Sequence, residues 1–283
     1  MSIIKLLDEF SSENLAKKST SRRAMFGTLS SFGKKAALAA VPFGMATGTK
    51  ATAATFMQQT RAHEAPLGLA LILEYLEAEF YMKSLESGIL PGGSREEIAF
   101  MQISKHEDAH VALLKSVLEE AGENTDSPMF DFTAGGSFDP FGENGTDDAT
   151  ALAQMLALAQ AFEDTGVRAY KGQAGNLMNT PFLETALQIH SVEAKHASEI
   201  RRIRGLKGWI TGSDRGAGMP EATQDVYDGE EVTTQAGIDL VNYDYGDSPL
   251  VGDAAAAVSG AFDEPMSGET ATAIASLFIV SEE

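Results

Sequence analysis

The chain has 283 residues, 43% of them hydrophobic, with no cysteine and a formal net charge of −20. That hydrophobic share belongs to a globular protein rather than a disordered one, and the length suits one large domain or an ordinary one with appendages. The missing cysteines exclude disulfides, thiolate catalysis and cysteine-ligated zinc or iron–sulfur centres.

Charge is spread unevenly. Residues 1–53 carry eight Lys/Arg against Asp8, Glu9 and Glu13, which leaves 13 Lys/Arg against 38 Asp/Glu in the remainder. So acidic a remainder repels nucleic acid and anionic lipid and favours solubility. Within the basic segment, Ser21-Arg22-Arg23-Ala24-Met25-Phe26 precedes a modest apolar run, Ala36–Ala46, and then Ala51-Thr52-Ala53-Ala54. Paired arginines, a weakly hydrophobic middle and a small-x-small end resemble a bacterial twin-arginine export signal. On that reading the mature chain starts near Ala54 and works in the periplasm or outside the cell. The long leader and the extra Lys34 and Lys35 depart from the pattern, and a basic N-terminal arm is the plainer alternative. Pro42 and Gly44 break the apolar run, which is too short for a stable membrane anchor.

Four helical segments follow. The first is expected from about Pro66, suited to an opening turn, to Gly88, suited to a stop. Its stripe reads Leu67, Leu71, Glu74, Ala78, Tyr81, Leu85. The second opens at Ser94 with Glu97 three residues later, a capping box, and closes before Gly122. Its stripe is Phe100, Ile103, Glu107, His110, Leu114, Val117. The third starts near Asp148 and carries Leu152, Leu156, Glu163, Val167, Tyr170, Ala174. The fourth runs from Thr180-Pro181 to Gly205 with Phe182, Ala186, Ile189, Glu193, His196, Ile200, Ile203. Short links join the first helix to the second and the third to the fourth, so these pairs should be antiparallel. The long Gly/Phe/Asp-rich stretch from Gly122 to about Asp147 allows one crossover along the bundle. Beyond Gly205 there is no sustained periodicity. Asp253–Phe262 and Ser267–Phe278 read as short helices with plausible N-caps, and residues 206–283 are expected to wrap the bundle or support a subunit contact.

The chemistry lies on the inward stripes. Glu107–His110 and Glu193–His196 are Glu-x-x-His pairs, and a Glu and a His three apart share one helix face. Each pair follows a lone inward Glu, Glu74 or Glu163. A solvated Glu belongs on the opposite face, and a buried one without a partner is costly. Two pairs with one carboxylate from each of two further helices make a ligand set for two metal ions in a four-helix bundle. Glu74 has Tyr81 seven residues on and Glu163 has Tyr170 seven residues on, so each Tyr could be a hydrogen-bond partner in its half-site or an oxidisable residue near a metal, with an amphipathic core Tyr the plainer reading of either alone. Glu77 competes with Glu74, and Asp164 less well with Glu163. His106 and His190 flank the motifs; one could support a ligand by a hydrogen bond, but a solvated or satisfied histidine is the default. His63 takes no role.

With these residues the chain resembles the ferritin-like superfamily. The stretches Leu73-Glu74-Tyr75-Leu76-Glu77-Ala78-Glu79-Phe80-Tyr81 and Ser191-Val192-Glu193-Ala194-Lys195-His196-Ala197-Ser198 are similar to helices of its exported bacterial members related to desiccation-related proteins. The resemblance, firm over about 65–205, implies an all-α fold: a ferritin-like four-helix bundle with one long crossover, plus an irregular C-terminal extension with short helices. It also implies Glu74 and Glu163 as terminal ligands, Glu107 and Glu193 as bridges, and His110 and His196 completing the two spheres. Iron or manganese suits such donors, and zinc would also bind. The implied function is oxidase, ferroxidase or peroxide removal, with dioxygen or peroxide as reactant. The alternative is a non-catalytic, stress-associated bundle. A cage of subunits would have to accommodate the long C-terminal tail, so a monomer or homodimer is expected.

Overall fold

The computed structural model describes residues 52–246, 250 and 252–280, with side chains from residue 65 onward. The chain divides into two units, Met1–Thr52 and Ala53–Glu283, and the second carries the helical bundle and its extension. The twin-arginine reading and the His63 side chain lie outside the described residues.

Four long helices carry the site: α1 Thr52–Glu86, α2 Arg95–Ala121, α3 Asp148–Gln173 and α4 Leu183–Ile203. Helix α1 corrects the sequence expectation, because Pro66 lies inside it rather than at its start. Proline there forfeits one backbone hydrogen bond, while helix formers such as Met57, Gln58 and Gln59 carry the helix further back. The cap of α2 is also slightly different from a capping box. Ser94 accepts from the Glu97 amide at 3.1 Å, but the Glu97 carboxylate reaches past Ser94 to the Gly93 amide. Asp147 caps α3 by accepting from the Thr150 amide. Helix α4 starts later than Thr180-Pro181 and ends as expected, with Gly205 at φ 75° and the Leu206 amide donating back to the Arg201 carbonyl at 2.9 Å.

Cross-helix contacts set the directions. Tyr81 stacks edge-on to Phe100 while Glu74 meets His110, so α1 and α2 are antiparallel. Asp164 pairs with Arg201 while Val167 meets His190, so α3 and α4 are antiparallel. Tyr81 meets Glu163 and Tyr170 meets Glu74, which makes α1 and α3 antiparallel as well. Helices α2 and α3 therefore run the same way, and the connector from Gly122 to Asp147 must travel the length of the bundle. That connector is tied down. It pairs with the chain's last described residues through Asp131 N–Phe278 O (2.7 Å) and Val280 N–Met129 O (2.9 Å), and it buries Phe130, Phe132 and Phe138.

The extension contains a two-residue hairpin, Thr234–Gln235 with Ile238–Asp239, and two short helices, α5 Ala254–Ser259 and α6 Gly268–Ser276. Ile210, Met219, Val226, Met266 and Ile274 pack against Leu73, Ala157 and Ala161 of the bundle. Arg168 anchors this layer: its guanidinium donates to the carbonyls of Val226, Asp228 and Glu264 and pairs with Glu230 at 2.6 Å. Covered on both sides, α3 is buried at every residue from Met155 to Tyr170. Its sequence shows only one apolar stripe because Ala and Gln sit on the face the extension covers. Among the described residues no helix is long and apolar enough to cross a membrane.

Candidate metal centre

The four helices bring Glu74, Glu107, His110, Glu163, Glu193 and His196 into one buried cluster, built as two overlapping groups. One is Glu74, Glu107, His110 and Glu193; the other is Glu107, Glu163, Glu193 and His196. Each group offers donor atoms within 4.8 Å of one another, and Glu107 and Glu193 belong to both. All four carboxylates are fully buried, His196 is 5% exposed and His110 is half-buried.

Both imidazoles turn Nδ1 inward. His110 Nδ1 lies 3.1 Å from Glu74, 3.0 Å from Glu107 and 3.2 Å from Glu193. His196 Nδ1 lies 2.9 Å from Glu107, 3.2 Å from Glu163 and 3.6 Å from Glu193. Despite these approaches, His196 Nδ1, Glu107 Oε1, Glu163 Oε2 and both Glu193 oxygens make no directed hydrogen bond. Around His196 the donor atoms converge on a shared space without satisfying one another, whereas His110 Nδ1 is hydrogen-bonded to Glu74 and Glu107.

The electrostatics reflect this crowding. Burial pushes the Glu74 and Glu163 carboxyls well above the ordinary carboxylate range. Burial would lower His110, but the carboxylates of Glu107, Glu193 and Glu74 outweigh it and push the imidazole up to about 12. His196 is raised in the same way, against burial, chiefly by Glu163 and Glu107. Glu193, which burial alone would raise, is held down at about 2 by His110 and His196. Without cations, protons on Glu74 and Glu163 and on the two histidines relieve the crowding.

The tyrosines correct the sequence expectation. Tyr81 donates to Glu163 and Tyr170 donates to Glu74, each at 2.5 Å. Seven residues along a helix is about 10 Å, too far for a Tyr to reach its own Glu. Antiparallel packing of α1 on α3 instead places each Tyr beside the Glu of the other helix. One oxygen of each outer carboxylate is thus fixed by a tyrosine and the other faces the centre.

The competing carboxylates separate. Asp164 turns away to a bidentate pair with Arg201, 3.1 and 2.6 Å, and accepts from Tyr227 at 2.9 Å. Glu77 is buried beside the cluster but outside both donor groups, and burial raises its carboxyl well above the ordinary range. It occupies space left by Gly166, where an added Cβ would meet Glu77 Oε1 at 3.3 Å. Gly166 stands three residues after Glu163 as Glu77 stands three after Glu74, so the helices converge on one volume with room for one side chain.

His190 donates to or accepts from nothing at the centre and faces the Val167 carbonyl at 3.0 Å. His106 differs from its default reading. Its Nδ1 lies 2.8 Å from His196 Nε2, with the two ring planes within 12° of each other. The only hint in the sequence is that His106 stands four before His110, at the rim of the inward stripe. A family model described as ferritin-like domain matches residues 62–206. No curated protein matches the chain.

Proposed function

Because this chain belongs to the ferritin-like domain family, we propose that its buried cluster holds two iron or manganese ions and serves oxidase, ferroxidase or peroxide-removing chemistry. The observation that carries this reading is the set of orphaned donor atoms on α2, α3 and α4, in a cluster that α1 completes with Glu74. Four buried carboxylates with neutral histidines would be matched in charge by two divalent cations, which removes the desolvation cost of leaving them unpaired. Oxygen donors with one imidazole per position suit iron or manganese.

Glu107 and Glu193 would span both positions, Glu74 and Glu163 would each serve one, and His110 and His196 would supply one nitrogen each through Nδ1. Bound iron or manganese would supply the electrons that reduce dioxygen or peroxide. The chain's part is to fix the donors and exclude water. Tyr81 and Tyr170 hold the outer carboxylates by one oxygen, and Phe80, Phe100 and Ile200 are fully buried in the surrounding core. A cavity of about 50 Å³ is lined by Leu67, Ala70, Leu73, Leu114, Ile189 and Tyr170, the residue whose hydroxyl donates to Glu74. An apolar space with few polar partners does not retain water, and it suits a small apolar reactant such as dioxygen.

A second reading has its own support. It keeps the same buried cluster in a non-catalytic, stress-associated bundle whose Tyr81 and Tyr170 hydrogen bonds hold the outer carboxylates structurally. Elemental analysis and turnover separate the two. Protein purified without chelator should contain close to two iron or manganese atoms per chain and should oxidise ferrous ion or consume peroxide. Metal-loaded protein that does neither supports the non-catalytic reading. Export to the cell envelope rests on Ser21–Phe26 and the small residues that end at Ala54. Mass spectrometry of envelope-fraction protein should find an N-terminus near Ala54, and an intact Met1 in the cytosol contradicts export.

A further inference from the structure

We propose that His106 is a positioning residue for His196 and that the two halves of the centre therefore hold their ions unequally. The inference rests on the two-ion reading above. A histidine that ligates through Nδ1 carries its proton on Nε2, and whatever accepts that proton fixes the ring and its tautomer. For His196 the acceptor is His106 Nδ1, 2.8 Å away. The other ring nitrogen of His106 lies 2.7 Å from Gln102 Nε2, one turn back on α2, and a 180° turn of that amide exchanges its nitrogen for its oxygen. With the proton of His196 on Nε2, His106 carries its own on Nε2 and donates outward, so the Gln102 amide must present its carbonyl oxygen. Cluster, His196, His106 and Gln102 then form one hydrogen-bonded line from the core to the surface.

The other half is built differently. Glu107–His110 on α2 corresponds to Glu193–His196 on α4, and the position corresponding to His106, four residues before the ligating histidine, is Val192. Valine offers no hydrogen-bonding side-chain atom. Among the described residues, no side chain pairs with His110 Nε2, whereas its Nδ1 has three carboxylates around it. One imidazole is locked from behind and the other is oriented only by the cluster it faces. The Glu163–His196 position should therefore fill first, and the Glu74–His110 position second.

Calorimetric titration of the full chain with Mn²⁺ tests this. Wild type should take up two ions with distinguishable affinities. His106→Ala should weaken one ion by roughly 10- to 100-fold, the usual effect of losing the group that orients a metal ligand, and leave the other within about 2-fold. His106→Gln, which restores a carbonyl acceptor, should recover most of the loss. Glu163→Ala removes the outer carboxylate of the His196 half; in that background His106→Ala should not weaken the remaining ion. Equal weakening of both ions by His106→Ala, or no change in either, overturns the proposal while leaving the two-ion reading standing. Absence of Mn²⁺ uptake by wild type overturns both. A crystal structure of His106→Ala adds a second readout: the His196 ring should rotate or lose definite orientation, and an unmoved ring contradicts the positioning role.

Discussion

The crossed tyrosines make a prediction that separates the folded arrangement from the linear one. Tyr170 donates to Glu74 across the α1–α3 interface, so Tyr170→Phe should weaken the ion held by Glu74 and His110, although Tyr170 shares its helix with Glu163. The magnitude follows from a difference between states. A hydrogen bond to a charged group contributes about 1.5–3 kcal/mol and one between neutral groups about 0.5–1.5 kcal/mol. In the metal-free protein, burial favours the protonated Glu74 carboxyl, whereas a ligating Glu74 is an anion. Loss of the hydroxyl should therefore cost the metal-bound state about 1–1.5 kcal/mol more, which is about a 5- to 13-fold loss of affinity. Mn²⁺ titration of Tyr170→Phe in Glu163→Ala and Glu74→Ala backgrounds assigns the effect. The loss should persist in the first and vanish in the second, and Tyr81→Phe should behave in mirror image. A loss that persists only in the Glu74→Ala background refutes the crossed arrangement.

Asp164→Ala leaves Arg201 buried without its carboxylate and Tyr227 without an acceptor. It should lower stability to urea by about 3–5 kcal/mol without removing metal, and a loss under about 1 kcal/mol would show that the pair is dispensable. Gly172→Ala would drive a Cβ into the Met266 carbonyl and should destabilise by about 1–3 kcal/mol as the Met266 segment is pushed from α3; an unchanged melting temperature contradicts that packing. Chelator-treated protein should become less stable between pH 7 and pH 9. Protonated His110, held near 12 in the fold, stabilises it fully below the free imidazole value of about 6.5, and that contribution is lost as pH rises towards the folded value. The raised Glu74 and Glu163 act in the same direction. Glu193, held at about 2, acts at the acid end: its contribution is present above about 4.5 and lost as pH falls towards 2. Melting curves that do not change from pH 7 to pH 9 would contradict this balance.

The bundle was legible because each helix carries a periodic stripe and several ends are signalled locally, although Pro66 misplaced the start of α1 and Thr180-Pro181 that of α4. Ser94, Asp147 and Gly205 are local signals that the folded chain uses locally. The cluster was legible because Glu74, Glu107, Glu163 and Glu193 interrupt apolar stripes, and a buried carboxylate is too costly to be incidental. Pairings between helices were not legible. Spacing along one helix put Tyr81 with Glu74, whereas the antiparallel neighbour decides which carboxylate a tyrosine meets. His106 could not be told from His190 as the supporting histidine, because its partner is 90 residues away and no pattern on α2 encodes His196. Glu77 could not be separated from Glu74 until the Gly166 surface of α3 was opposite it. The extension was opaque for a related reason: its anchor, Arg168, is one of five charged residues on α3, and apart from Glu230 its acceptors are backbone carbonyls that carry no sequence signature.

The central claim is that two ions share Glu107 and Glu193 at the meeting point of four helices. Anomalous diffraction from crystals of the Mn²⁺-loaded protein, with data at the manganese edge, tests it most directly. Two peaks should lie within the cluster, one flanked by Glu74 and His110 and the other by Glu163 and His196, with both Glu107 and Glu193 between them. Both peaks should vanish in the Glu107→Ala/Glu193→Ala protein. A single peak, peaks outside the cluster, or peaks that survive the double substitution would contradict it.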